Sequence, residues 1–139
     1  MTKPPDPVGL YEPFTRCGEL VFLSAISSAR NGTMITGKIG ADLSFEEGQE
    51  AARRAAANLL ALLAEAAGGE AKIAGILLVR GLVNAPDGFS QVHKVIDAAS
   101  ELIIERLGTK GRHARTAIGC STLPNNNAVT LEAIARVAS

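Results

Sequence analysis

Hydrophobic and polar positions along this chain change period several times, and each change marks an element. Residues 1 to 8 are rich in proline and predict a loose arm. Glu19 to Ser24 (ELVFLS) is a short apolar run of strand length. Asn31-Gly32 is a strong turn signal, and Thr33 to Thr36 is expected to return as a second strand, giving a hairpin. Ser44 then opens a helix, with Glu47 at capping-box spacing, and good helix formers run to about Ala67 before Gly68-Gly69. The apolar stripe of that helix includes Ala52, Ala55, Ala56, Leu59, Leu60 and Leu63, and so many alanines imply close packing on a sheet.

Lys72 to Val83 reads as a buried strand, Asn84 to Gly88 as a loop, and Phe89 to Leu107 as a second helix with one broad apolar face. Gly108 to Gly111 breaks that helix. Two strands follow, Ala114 to Ser121 and Ala128 to Val137, joined by Leu123-Pro124-Asn125-Asn126-Asn127. The order β-β-α-β-α-β-β predicts an α+β fold, with two helices on one face of a four- to five-stranded mixed sheet. Nothing in the sequence marks a domain boundary, so residues 1 to 139 are read as one domain.

Strand alternation sorts the side chains of the last two strands. Val129, Leu131, Ala133, Ala135 and Val137 share an apolar face that should meet the helices, leaving Thr130, Glu132, Ile134 and Arg136 opposite. In the preceding strand Arg115, Ala117, Gly119 and Ser121 lie together. A second sheet side that mixes small, polar and charged residues cannot be covered by two helices already used on the first. Water or other copies of the chain must cover it.

Composition narrows the function. Apolar residues are 47% of the chain and aromatics only 4%, without tryptophan, so the core must be built from Ala, Val, Ile and Leu. Lys plus Arg and Asp plus Glu are 14 each, and this balance is a poor one for a non-specific nucleic-acid binder. Cys17 and Cys120 are too few for a disulfide framework or a structural zinc site. The start, MTKPPDPVGLYEP, carries no apolar signal-peptide core, and Leu59 to Ala64 is too short to span a bilayer. The chain is therefore read as a cytoplasmic protein.

The candidate chemistry centres on Arg115, at the start of a strand and beside the small residues Ala117 and Gly119. A guanidinium holds carboxylates in a fixed plane, so this place suits a small anionic ligand. The ordinary alternative is an arginine in a salt bridge. His93 and His113 lack metal-ligand spacing, and no metal or cofactor is expected.

GRHARTAIGCSTLPNNNAVTLEAI (111 to 134) resembles the ending of the YjgF-like proteins, also called reactive-intermediate deaminases or liver perchloric-acid-soluble protein endoribonucleases. GLYEPF (9 to 14), LVFLSA (20 to 25), TGKIGADLSFEEGQEAAR (36 to 53), RGLVNAPDGF (80 to 89) and KVIDAASELI (94 to 103) extend the likeness over nearly the whole chain. It is nearest to a branch with Gly-Arg-His-Ala-Arg. The resemblance implies a chorismate-mutase-like fold assembling as a homotrimer, with the sheets forming a barrel and clefts between subunits. It implies hydrolysis of small enamines and imines such as 2-aminoacrylate to 2-oxo acids and ammonia. Arg115 would hold the substrate carboxylate, with Tyr11 at the rim, Ser24 at the end of the first strand and the Ala117 backbone N–H as further contacts. Thr130 stands where the deaminase branch has a water-positioning glutamate, while Glu132 keeps the second glutamate and Ala25 replaces a glycine. A threonine cannot act as a general base near neutral pH. The competing readings are a non-catalytic trimeric binder of 2-oxo acids or related carboxylates, an endoribonuclease, and a structural oligomer without a ligand.

Overall fold

The structure, a computed structural model, describes residues 3–139; the first two residues of the expected N-terminal arm lie outside the described residues. The elements in chain order are β1 (Phe14–Cys17), β2 (Leu20–Ile26), α1 (Phe45–Ala67), β3 (Ile73–Asn84), α2 (Val92–Leu107), β4 (Ala114–Cys120) and β5 (Val129–Val137). They form one mixed sheet in the order β1-β2-β5-β3-β4, antiparallel except for the β3–β4 pair, with both helices packed on one face. This is the α+β arrangement read from the sequence.

Helix α1 begins as its residues dictate. Ser44 Oγ accepts from the Glu47 N–H at 3.1 Å, and Glu47 Oε1 accepts from the Ser44 N–H at 2.9 Å. Two of the free N–H groups at the helix start are thus satisfied. At the other end Gly68 takes φ 86°, a left-handed conformation in which its N–H reaches back to the last turn. Between these caps Ala51, Ala52, Ala55 and Ala56 are fully buried. Their small side chains let the helix axis come close to the sheet, where Leu131, Ala133, Ala135 and Val137 of β5 meet it.

Helix α2 starts at Val92, three residues later than the apolar pattern suggested, because Phe89 packs beside Gly40 in the preceding loop. It lies over β3 and β4. The contact is so close at Gly81 that a Cβ there would stand 2.5 Å from Ile96 Cδ1. Glycine is the side chain that leaves room for the helix on this strand.

The hairpin differs from the sequence expectation. It is formed by β1 and β2 across Gly18-Glu19, with Gly18 at φ 61°. Phe14–Cys17 escapes the pattern because Thr15 and Arg16 break any apolar alternation on this exposed edge. Asn31-Gly32 does make the turn, both with positive φ, and Arg30 and Thr33 exchange hydrogen bonds of 2.7 and 2.9 Å. Thr33 to Thr36 nevertheless forms no strand, only isolated bridges. Both sides of β2 are already occupied, by β1 and by β5, so a returning strand would find no free ladder.

The second sheet face has no covering layer among the described residues. Phe22 is 40% exposed and Ile118 47%, and half-buried Leu78, Leu82 and Ile134 lie among them. Register places Phe22, Ile134 and Leu78 side by side across three strands.

Replacing Gly81 by Ala should lower stability by about 1–3 kcal/mol, the usual cost of overpacking. Urea unfolding checks this, and an unchanged midpoint would show that Ile96 moves freely.

Candidate functional site

The residues singled out in the sequence occupy three places in the folded chain. Tyr11, Ser24 and Thr130 line one cavity of about 270 Å³. Its walls come from the N-terminal segment around Pro5 to Val8, the end of β2, Leu62 of α1, Leu82 of β3 and the loop Leu123 to Asn127. Ser24 Oγ donates to the Glu12 carbonyl at 2.6 Å, and the Ser24 N–H donates to the Pro13 carbonyl, so the segment before β1 is tied to β2. Tyr11 Oη accepts from the Val8 N–H at 3.3 Å, which folds the arm over the cavity rim. Thr130 is buried, and its Oγ1 accepts from Asn127 Nδ2 at 2.5 Å.

Glu132 lies two residues along β5 from Thr130, on the open sheet face. There its Oε1 meets Arg80 Nε at 2.6 Å, in the register pair between β5 and β3. Phe22, Leu78 and Ile134 surround this pair. Glu132 therefore faces a cation rather than the Thr130 cavity.

Arg115 is found on the other side of the sheet. It pairs with Val79 in the β3–β4 ladder, and Val79 is buried in the helix-side core. Ala117 and Gly119 share its face as the alternation required, but the space beside them is not open. Helix α2 lies there, and a Cβ at Gly119 would stand 3.3 Å from Val92. The side chain of Arg115 is 22% exposed and is held by α2. Its Nη1 donates to Asp97 Oδ1 at 2.7 Å and to Ser100 Oγ at 3.2 Å, and its Nη2 donates to the His93 carbonyl at 3.3 Å. The ordinary alternative, a salt bridge, is thus present. It does not exhaust the guanidinium, whose five N–H groups leave the Nε–H and a second Nη2–H without a partner among the described residues.

His113 belongs to the same cluster. Its Nδ1 lies 2.5 Å from the Gly111 carbonyl and its Nε2 lies 3.0 Å from Ser100 Oγ. A carbonyl can only accept, so Nδ1 carries a proton, and in the neutral ring Nε2 accepts from the Ser100 hydroxyl. The Ser100 oxygen then accepts from Arg115. The chain of donors runs in one direction, and it fixes the arginine at the entrance of β4. Sequence reasoning missed Asp97 and Ser100. The signal was available: positions 93, 97 and 100 recur at helical spacing on one face of α2.

A second polar cluster sits at the C-terminal ends of β3 and β4. Lys38 Nζ donates to Asn84 Oδ1 at 3.1 Å and to the Ser121 carbonyl, and Asn84 Nδ2 donates to Asn126 Oδ1 at 3.0 Å. These bonds anchor the loop that carries Asn127. No group of three or more His, Cys, Asp or Glu side chains able to hold a metal ion occurs among the described residues. No helix there is long and apolar enough to cross a membrane.

Within one chain, then, the cavity and the arginine lie on opposite sides of the sheet. The family model described as "YjgF/chorismate_mutase-like, putative endoribonuclease" matches residues 5–137. Protein TCP17 of Trypanosoma cruzi is 35% identical over 104 residues, 74% of this chain. The chain spans 65% of the length of TCP17. The crystal structure of Atu1372 from Agrobacterium tumefaciens is 36% identical, with a TM-score of 0.91 over 96% of this chain and 87% of that one. A structure from Shewanella oneidensis, called a putative endoribonuclease, is 29% identical with a TM-score of 0.93, covering 97% and 90% of the two chains. The fold is also shared with Escherichia coli TdcF, solved with bound serine, at 23% identity, a TM-score of 0.71 and coverage of 99% and 94%.

A double-mutant cycle on Asp97→Ala and Arg115→Ala should give a coupling of about 0.5–1 kcal/mol that shrinks as salt is added, since the carboxylate is 53% exposed. Strict additivity in urea unfolding would mean that the pair does not hold in solution.

Proposed function

The chain belongs to the YjgF/chorismate-mutase-like family, and from that membership we propose a homotrimer whose inter-subunit clefts hydrolyse small enamines and imines to 2-oxo acids and ammonia. The observation that carries this reading is the state of Arg115: held by three hydrogen bonds to α2, with two N–H groups that meet no partner among the described residues. A guanidinium held in this way is prepared for a carboxylate, because little side-chain freedom remains to be lost on binding. The serine bound to TdcF, a carboxylate-bearing ligand on the same fold, lends support.

A trimer supplies what one chain lacks. The uncovered sheet face, with Phe22, Ile118 and Ile134, is suited to burial against other copies. Such burial would bring the β4 edge of one subunit, with Arg115 and the Ala117 backbone, toward the Tyr11, Ser24 and Thr130 cavity of the next.

The chemistry asks little of the protein. A protonated imine is electrophilic at carbon. Water adds there, the C–N bond breaks, and the nitrogen leaves as ammonia while the carbon becomes the carbonyl of the 2-oxo acid. Arg115 orients the substrate, and the Thr130 hydroxyl positions the water without deprotonating it. Glu132, engaged with Arg80, assists only if that pair opens. Turnover is therefore slow compared with the glutamate-bearing branch. Thr130 also favours a second reading, a binder of 2-oxo acids without turnover. The endoribonuclease reading finds less support: Arg53, Arg54, Arg80, Arg106 and Arg115 are each engaged by a carboxylate of the same chain.

Light scattering at micromolar concentration should give the mass of three chains; a monomer mass removes the cleft. Calorimetry should show 2-oxobutyrate binding that Arg115→Ala weakens by about 2–4 kcal/mol. With 2-aminoacrylate generated in situ, pyruvate should appear faster than the spontaneous rate. Thr130→Glu should raise that rate, since general-base assistance is worth ~10²–10⁴-fold elsewhere. Background rates from both proteins, with binding retained, would leave the non-catalytic reading.

A further inference from the structure

We infer that the cavity beside Thr130 is an apolar side-chain pocket, so that the protein prefers ligands with a longer carbon chain than pyruvate and a single hydrogen-bond donor. The selectivity rests on the proposed carboxylate site at Arg115; the pocket itself does not.

Size is the first argument. The cavity measures about 270 Å³. A water molecule's share of liquid volume is about 30 Å³, and a methyl group is of similar size. A three-carbon imino acid held at Arg115 would offer this space one terminal carbon and leave most of it empty. A branched chain of four or more carbons would occupy it, and each buried methylene would strengthen binding.

The lining is the second argument. Met34, Leu62, Leu82 and Leu123 contribute to a mostly apolar lining, and among the described residues neither lysine nor arginine borders it. Among the described residues the one charged side chain there is Asp6, exposed at the arm, which repels an anion. A carboxylate has no partner in this pocket. With Thr130 in place of a carboxylate, the inner wall is uncharged and open to hydrocarbon.

The third argument is an unpaired acceptor. Asn127 borders the cavity, is 4% exposed, and donates through Nδ2 to Thr130, yet its Oδ1 accepts no hydrogen bond. Turning the amide over would pair Oδ1 with the Thr130 hydroxyl and leave the two Nδ2 hydrogens unpaired instead. A buried polar atom without a partner is unfavourable, and native structures keep few of them. Asn127 Oδ1 is itself sealed from water, so a ligand N–H or O–H beside Thr130 would supply the missing donor as the amide turns toward the cavity. The pocket is thus fitted to an apolar group with one donor beside it, such as the branched chain of an enamine whose nitrogen sits on the carbon next to the carboxylate.

The test compares pyruvate, 2-oxobutyrate and 4-methyl-2-oxopentanoate by calorimetry on the full chain. Affinity should rise by roughly 4-fold for each added carbon that is buried. Ala25→Phe, which fills the pocket from an exposed position, should erase the series and leave pyruvate within about 2-fold of wild type. Two neutral probes report on the pocket without Arg115. 4-Methylpentanamide should raise the melting temperature, whereas its ketone counterpart 5-methyl-2-hexanone, lacking the N–H, should do so far less. A flat acid series together with no amide effect overturns the pocket, and the carboxylate site still stands if Arg115→Ala weakens pyruvate. Absence of all acid binding with a retained amide effect removes the carboxylate site and leaves the pocket. Equal shifts from amide and ketone overturn the role of Asn127.

Discussion

The close seating of two helices on one face of the sheet governs the rest of this molecule. Fully buried Ala51, Ala52, Ala55 and Ala56 bring α1 down onto β5, and Gly81 lets α2 approach β3. Close approach of this kind maximises dispersion contacts and excludes water from Val79, Val83, Leu131 and Ala135. It also uses up the helices. None is left for the opposite face, where Phe22 and Ile118 stay in contact with solvent in the single chain.

The same seating explains the state of Arg115. On a strand at the edge of a sheet, an arginine on the helix side has two choices: reach past the helix to water, or satisfy its donors on the helix itself. Asp97, Ser100 and the His93 carbonyl take the second course. His113 closes the arrangement by accepting from Ser100 and donating to Gly111. A guanidinium so restrained keeps its charge and its remaining donors in one orientation. This is a better preparation for a planar carboxylate than a free surface arginine offers.

The cavity obeys a different rule. Beyond Leu62, Leu82 and Thr130, it is walled by the N-terminal segment, the end of β2 and loops outside the sheet, the one before β5 among them. Polar bonds pin those pieces in place, through Ser24 to Glu12, Asn58 to the carbonyls of Ser27 and Ala29, and the Lys38–Asn84–Asn126 chain. The walls are therefore ordered although most of them are not regular secondary structure. Arg115 with its charged partner thus lies on one side of the sheet, and the largely apolar cavity on the other.

The sequence by itself determined both helices, the strands β2, β3, β4 and β5 and the face of β5 that enters the core. Each of these follows from local periodicity and from caps whose partners are a few residues away, as with Ser44 and Glu47. It also placed Arg115, Ala117 and Gly119 on one face. Only the tertiary structure decided which face that is. Alternation gives a strand two sides without saying which one meets a helix, and the small residues around Arg115 read equally as an open shelf or as a seat for α2. The fate of Thr33 to Thr36 was likewise a long-range matter, settled when β1 and β5 filled both sides of β2. Local pattern fixes what a segment can become; competition for hydrogen-bonding edges and for helix cover, felt only in the assembled fold, fixes what it does become.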